Sequence, residues 1–325
     1  MKWLTYIALA AGVALFAWLL MHYGAADVVA GAAAAGWGLL WVILFRFVNL
    51  AAHAQGWRVL FAATGRPAFL PMLRLRWIGE AVNSLLPVAQ VGGEVVRAQM
   101  ATRLGVRGAE AGAATLVDFT LGLVTQFLYT VMAVALLIQT RGFGAETQGW
   151  FAGLLVAAAA IGAFWTAQHL RIFGRVAQLA RRVLRGGAWE ALTGGASALD
   201  AEVQALYARR RDVAAGAVWR MFSWLLHTGE TWLALWFLDA PASLAAALIL
   251  EALSTAVRSG AFAIPGAIGV QEGGFVLLTP LVGLSPETAL ALALVKRLRE
   301  LVIGGSGLLV WGLGSKGTAA IDRPA

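Results

Sequence analysis

Six runs in this chain are almost wholly apolar: 3–22, 37–63, 111–139, 150–168, 213–238 and 287–313. Each reaches or nearly reaches the ~20 residues an α-helix needs to cross the hydrocarbon layer of a bilayer. The runs therefore read as spanning helices of an all-α polytopic membrane protein. Charged residues make up only 13% of the 325, against about a quarter in a soluble domain. The mean hydropathy is +0.76. The first run begins behind Lys2 as a signal peptide does, but it continues to about Leu20 with no small-x-small cleavage site. It is expected to stay as a helix. The absence of cysteine excludes disulfides and thiolate metal sites. Four scattered histidines give no ligand spacing, so neither metal nor cofactor is expected.

Two segments fit neither a span nor a free loop. Segment 68–107 holds Arg74, Arg76, Glu80, Asn83, Pro87, Gly92, Gly93, Glu94, Arg97, Arg103 and Arg107. Segment 242–283 holds Glu251, Arg258 and the stretch 263–274, where Pro265, four glycines and Glu272 interrupt an apolar sequence. Proline removes a helix donor and glycine loosens the backbone, so a continuous helix is not expected there. In lipid, a broken backbone survives only where protein buries it or a wet cavity meets it. Both segments are read as re-entrant hairpins.

The two hairpins correspond. A shift of 178 residues places Pro87 on Pro265, Glu94 on Glu272 and Gly105 on Gly283. It also brings the second run onto the fifth, the third onto the last, and Asp118 onto Lys296. The expected organisation is a first repeat over 1–140 with hairpin 68–107. A second repeat follows over 141–315, with a basic stretch at 169–212 and hairpin 242–283. A short tail occupies 316–325. Three crossings separate the hairpins, so the second repeat is inverted relative to the first, an arrangement common in transporters. With both termini in the cytoplasm, 58–110 and 169–212 face inside with seven and eight arginines, as the positive-inside rule asks. Apolar residues recur between the charges of 169–212, as in a helix lying on anionic lipid.

Ten charges fall within the membrane segments: Asp118, Glu230, Glu251, Glu272, Glu300, Arg46, Arg258, Lys296, Arg297 and Arg299. Each costs about 2.5–3.5 kcal/mol or more at the centre of a lipid-facing helix, so they must pair or meet water. Arg46 and Glu230 read equally well as a helix-to-helix lock. Lys296 is expected to pair with Glu300 one turn on. One of Arg297 and Arg299 should then meet Glu272, leaving the other for an anionic group.

Residues 83–97, NSLLPVAQVGGEVVR, resemble the signature of the flippase-like membrane proteins that form the transmembrane region of lysylphosphatidylglycerol synthases. Pro265–Gly274, PGAIGVQEGG, and Lys296–Glu300, KRLRE, resemble the second signature, in wording closest to the hopanoid-biosynthesis-associated, HpnL-like branch. The resemblance covers nearly the whole chain. It implies movement of a lipid between the leaflets of a bacterial inner membrane. Bifunctional members carry a soluble aminoacyl-transfer domain after the membrane part. This chain stops about a dozen residues beyond its last run, so no synthase activity is expected.

The function expected is lipid translocation, of a hopanoid or of an anionic or aminoacylated phospholipid. A proton-coupled exporter of a small amphiphile, and a scaffold for lipid-modifying enzymes, are the alternatives. No nucleophile–base pair or phosphate loop marks an enzyme. Membrane lipids are the expected partners, with lipid-biosynthesis enzymes a second class and nucleic acid excluded. The candidate path comprises Asn83, Pro87, Gly92, Gly93, Glu94, Arg97, Asp118, Arg258, Pro265, Gly266, Gly269, Glu272, Gly273, Lys296, Arg297, Arg299 and Glu300.

Overall fold

A computed structural model describes residues 35–86, 91–142, 144–170, 187–261, 264 and 267–321, with single positions at 18, 21, 22, 30 and 33. Most of the first apolar run, with Pro87, Pro265 and Gly266, lies outside the described residues. Among the described residues ten α-helices follow in order: α1 Gly38–Arg58, α2 Phe69–Leu85, α3 Gly92–Thr102, α4 Gly108–Arg141, α5 Ala145–His169, α6 Gly187–Ala208, α7 Arg210–Phe237, α8 Leu244–Gly260, α9 Val270–Leu278 and α10 Pro286–Ile321. No strand occurs among the described residues.

Local chemistry sets the boundaries. Leu86 leaves α2 in an extended conformation, as the residue before a proline does. Ser243 opens α8 by accepting a hydrogen bond from the Ala246 amide at 3.1 Å, and Pro286 opens α10, where its missing N–H costs nothing. Gly105 and Gly283 turn the chain into α4 and α10, both with positive φ.

The helices repeat in register. Gly92 and Val270 open α3 and α9, and Gly108 and Pro286 open α4 and α10, each pair 178 apart. Packing repeats as well. Helix α2 lies on α3 and α8 on α9, while α1 crosses α7. Each hairpin also packs across the halves, α2 against α10 and α8 against α4.

Three described helices are long and apolar enough to cross a membrane: Gly38–Arg58, Gly108–Arg141 and Gln148–His169. The sequence reading expected α7 and α10 among them. Both have the length, but Arg220 and Glu230 in α7 and Lys296–Glu300 in α10 lower their hydropathy. Buried protein partners carry those charges. The basic stretch 169–212 is described in part. Residues 171–186 lie outside the described residues, and 187–208 form a helix packed on α4. Its Val203 and Leu206 are buried with Ala113, Ala114 and Val117. Val203 and Leu206 thus cover protein rather than lipid.

The core falls into two apolar clusters. One gathers Val42, Tyr129, Leu137, Leu235, Leu250, Phe275 and Leu292. The other gathers Trp57, Leu60, Phe61, Met72, Val117 and Leu121. Along α1, α4 and α7 the polar residues stand between the stretches that join these clusters. Arg46, Asn49 and His53 hold that place on α1, Gln126 on α4, and Ser223, His227 and Glu230 on α7. A polar layer is thus enclosed at mid-height.

Candidate functional site

Within that layer lies a chamber of about 480 Å³. Helices α1, α2, α4, α7, α8, α9 and α10 all contribute to its lining. Five cations, Arg46, Arg76, Arg258, Lys296 and Arg299, line it with three carboxylates, Glu80, Glu251 and Glu300. His53, His227, Gln271, Trp224 and Thr255 complete its polar and aromatic surface.

The ions form one connected set. Arg46 pairs with Glu80 and stands 3.7 Å from Glu230. Arg76 bridges Glu80 at 3.1 Å and Glu94 at 3.4 Å. Arg299 meets Glu230 at 2.7 Å and Glu300 at 3.5 Å. Glu300 also holds Arg258 and, at 2.8 Å, Arg297. Lys296 pairs with Glu251, whose Oε2 also accepts from Thr231 at 2.6 Å. Arg46 Nη1 lies 3.0 and 3.3 Å from the two ring nitrogens of His227. A guanidinium only donates, so a neutral His227 supplies the lone pair, and its Nδ1 stands 3.5 Å from Glu251.

The structure divides the sequence-predicted residues. Arg258, Lys296, Arg299 and Glu300 line the chamber; Glu94, Arg97, Asp118, Glu272 and Arg297 stand outside its lining. Arg97 is fully buried, pairs with Glu94, and donates to Asp118 at 2.6 Å. Its guanidinium lies 4.4 Å from the Trp57 ring centroid. Arg220 completes this second group, 3.2 Å from Asp118 Oδ1 and donating to the Asp118 carbonyl at 3.0 Å. Glu272 has a double task. It accepts from the Gly269 amide at 2.7 Å, capping α9, and from Arg297 at 2.6 Å.

Glycine and asparagine hold the hairpins shut. Asn83 Oδ1 accepts from the Gly93 amide at 2.7 Å. A Cβ on Gly93 would collide with the Gly79 carbonyl and come within 2.7 Å of the Asn83 side chain. Gly269 takes a positive φ at the start of α9, a conformation glycine adopts freely. Gly92 and Gly273 sit in the first turns of α3 and α9.

Two expected pairings are corrected. Lys296 meets Glu251 from α8 rather than Glu300 on its own helix. Neither arginine of the cluster is left over for a ligand: Arg297 takes Glu272 and Glu300, and Arg299 takes Glu230 and Glu300. The reading of Arg46 as a helix lock is incomplete, because Arg46 also lines the chamber. Sequence reasoning left Arg76, Glu80, His227 and Gln271 out of the site. The i, i+4 pair Arg76–Glu80, beside a broken apolar segment, was the available signal for two of them.

A family model described as the lysylphosphatidylglycerol synthase TM region matches residues 5–305. The chain belongs to this family. Comparison with curated proteins and with solved structures gave no match. Membership in the lysylphosphatidylglycerol synthase TM family makes the chain a membrane protein with a lipid-related role. The matched span includes both hairpins and every residue that lines the chamber.

Proposed function

We propose that this protein is a lipid translocase rather than an enzyme, and that the chamber receives the head group of an anionic lipid. The observation that carries this reading is the chamber's wall: five cations against three carboxylates, enclosed between two apolar clusters. An anion there gains charge-assisted hydrogen bonds from arginines in a setting where water competes weakly. The same wall suits a hopanoid only where that lipid carries an anionic head. Head-group entry exchanges partners. Arg46 and Arg299 both reach Glu230, so an anion taking one arginine leaves the carboxylate with the other. Such an exchange couples α1 of the first half to α7 and α10 of the second. In this reading the two halves are inverted in a bacterial inner membrane, with both termini cytoplasmic. Because the chain has no cysteine, single cysteines introduced beside Glu94 and Glu272 report sidedness. Labelling from opposite sides is expected, and labelling from one side removes the inversion.

His227 favours a second reading, in which movement is coupled to protons. A protonated imidazole has no lone pair to offer Arg46, so proton uptake would break that contact and strengthen the one to Glu251. The deciding experiment is reconstitution in liposomes with labelled anionic, zwitterionic and cationic lipids, with and without a pH gradient. Movement of the anionic lipid ahead of the others is expected. Equal movement of all three, or none, would overturn the head-group assignment. A gradient response that vanishes in His227→Gln would establish the coupled mode.

A further inference from the structure

A second cavity of about 610 Å³ lies between α4, α5 and α8. Its walls are apolar, with Phe127, Leu154, Ala157, Ile161, Phe164 and Val257 among them. Three residues, Leu123, Gln126 and Ser259, line both this cavity and the charged chamber. The two spaces therefore adjoin, and their boundary is also the boundary between charged and apolar wall. One hydrogen bond crosses it: Gln126 Nε2 donates to Ser259 Oγ at 2.7 Å, tying α4 to α8. Thr130, the other polar residue here, spends its hydroxyl on the Gln126 carbonyl at 2.9 Å.

We infer that the apolar cavity holds one acyl chain of the lipid whose head group sits in the chamber, and that the Gln126–Ser259 pair is the threshold where the two parts of the lipid meet. The inference rests on the translocase reading. An amphiphile has one polar–apolar dividing line, and a site that binds it must present the matching line on its wall. Here that line falls on Gln126 and Ser259. The cavity volume lies within the range of sites that enclose small organic ligands. Helix α5 supplies the outer wall. It is apolar enough to span, and no residue of its most apolar window is buried, while Trp150 and Leu154 rest against the core and buried Gln168 ties its far end to Thr120 and Tyr207. A chain entering sideways from the bilayer would pass between α5 and α8. Once the threshold opens, the freed Gln126 amide and Ser259 hydroxyl can bond the ester groups that join chain to head.

The test uses the full chain in proteoliposomes containing phosphatidylglycerol with a photoactivatable diazirine on one acyl chain. A parallel sample carries the diazirine on a rigid polycyclic lipid. Crosslinks are mapped by mass spectrometry beside the translocation assay. Labelling by the acyl probe at Phe127, Ala157, Ile161 or Val257 is expected. Ala160→Trp, at an exposed position lining the cavity, should lower that labelling. Keeping two methylene groups out of the cavity weakens binding about tenfold. Gln126→Leu should slow translocation and lower labelling in the cavity less than Ala160→Trp does, and translocation at the wild-type rate would overturn the threshold. Acyl labelling spread over other lipid-facing helices, or unchanged by Ala160→Trp, would overturn the inference. Labelling by the polycycle alone would overturn the acyl chain as occupant. The crosslinks decide the cavity whether or not the lipid moves, so failure of translocation is distinguishable from failure of this site.

Discussion

The two charged groups built by the paired motifs differ in what they border. In the first half, Glu94, Arg97 and Asp118, joined by Arg220 from α7, stand outside the chamber's lining and reach it only through the Glu94–Arg76 pair. In the second half, Lys296, Arg299 and Glu300 lie along an open volume of about 480 Å³. Both sets bury their cations, and both place one by an aromatic ring: Arg97 over Trp57 at 4.4 Å, Lys296 over Phe275 at 5.4 Å. Burial of charge therefore does not by itself mark a site. A set of ion pairs set back from the cavity wall holds helices together, whereas the same residue types along a cavity can exchange partners with a ligand.

The largest expected effect is at the centre of the enclosed group. Asp118→Ala strands Arg220 and leaves buried Arg97 with Glu94 alone, and breaking a buried pair costs about 3–5 kcal/mol. Thermal unfolding in detergent should show the protein failing to hold its fold. A stable but inactive Asp118→Ala would break the contrast and make the first group part of the path. Gly93→Leu comes next. Its side chain must displace the Gly79 carbonyl and Asn83, and overpacking of this kind costs typically 1–3 kcal/mol. Lowered melting alongside lost activity is expected, whereas lost activity at unchanged melting would locate Gly93 on a moving surface. Arg258→Ala sharpens the other side. Glu300 retains Arg297 and Arg299, so stability should fall by less than the roughly 3–5 kcal/mol of a buried pair broken outright. Binding of an anionic lipid should weaken about tenfold or more, since one charge-assisted contact is worth about 1.5–3 kcal/mol. An equal loss of stability and binding would return the second group to the status of a lock. The smallest effect belongs to Arg107, an exposed residue 2.7 Å from Glu202. Arg107→Ala should change melting and transport negligibly, giving the baseline for charge removal outside the polar layer.

Much of the fold was legible in the sequence because proline and glycine act locally. The shift that aligns Gly105 with Gly283 also aligns the starts of α3 with α9 and α4 with α10. The site was less legible because its pairings are tertiary. Spacing along one helix assigns Lys296 to Glu300, yet Glu251, 45 residues away on α8, takes that lysine. The stretch 187–208 shows the same limit. An amphipathic helix has the same pattern whether its apolar face meets lipid or α4, and only the neighbouring helix decides.

The crossed packing of the hairpins also fixes the order in which the protein can complete itself during synthesis. Helix α2 emerges early, but a large part of its packing partner is α10. The Trp77 indole donates to the Ile303 carbonyl at 2.8 Å across 226 residues, and Arg74 donates to the Val310 carbonyl across 236. Until α10 is made, that face of α2 has only lipid or a chaperone to meet. The half that is translated first is thus the half that waits, and the ribosome reaches the last helix before either hairpin has its full set of neighbours.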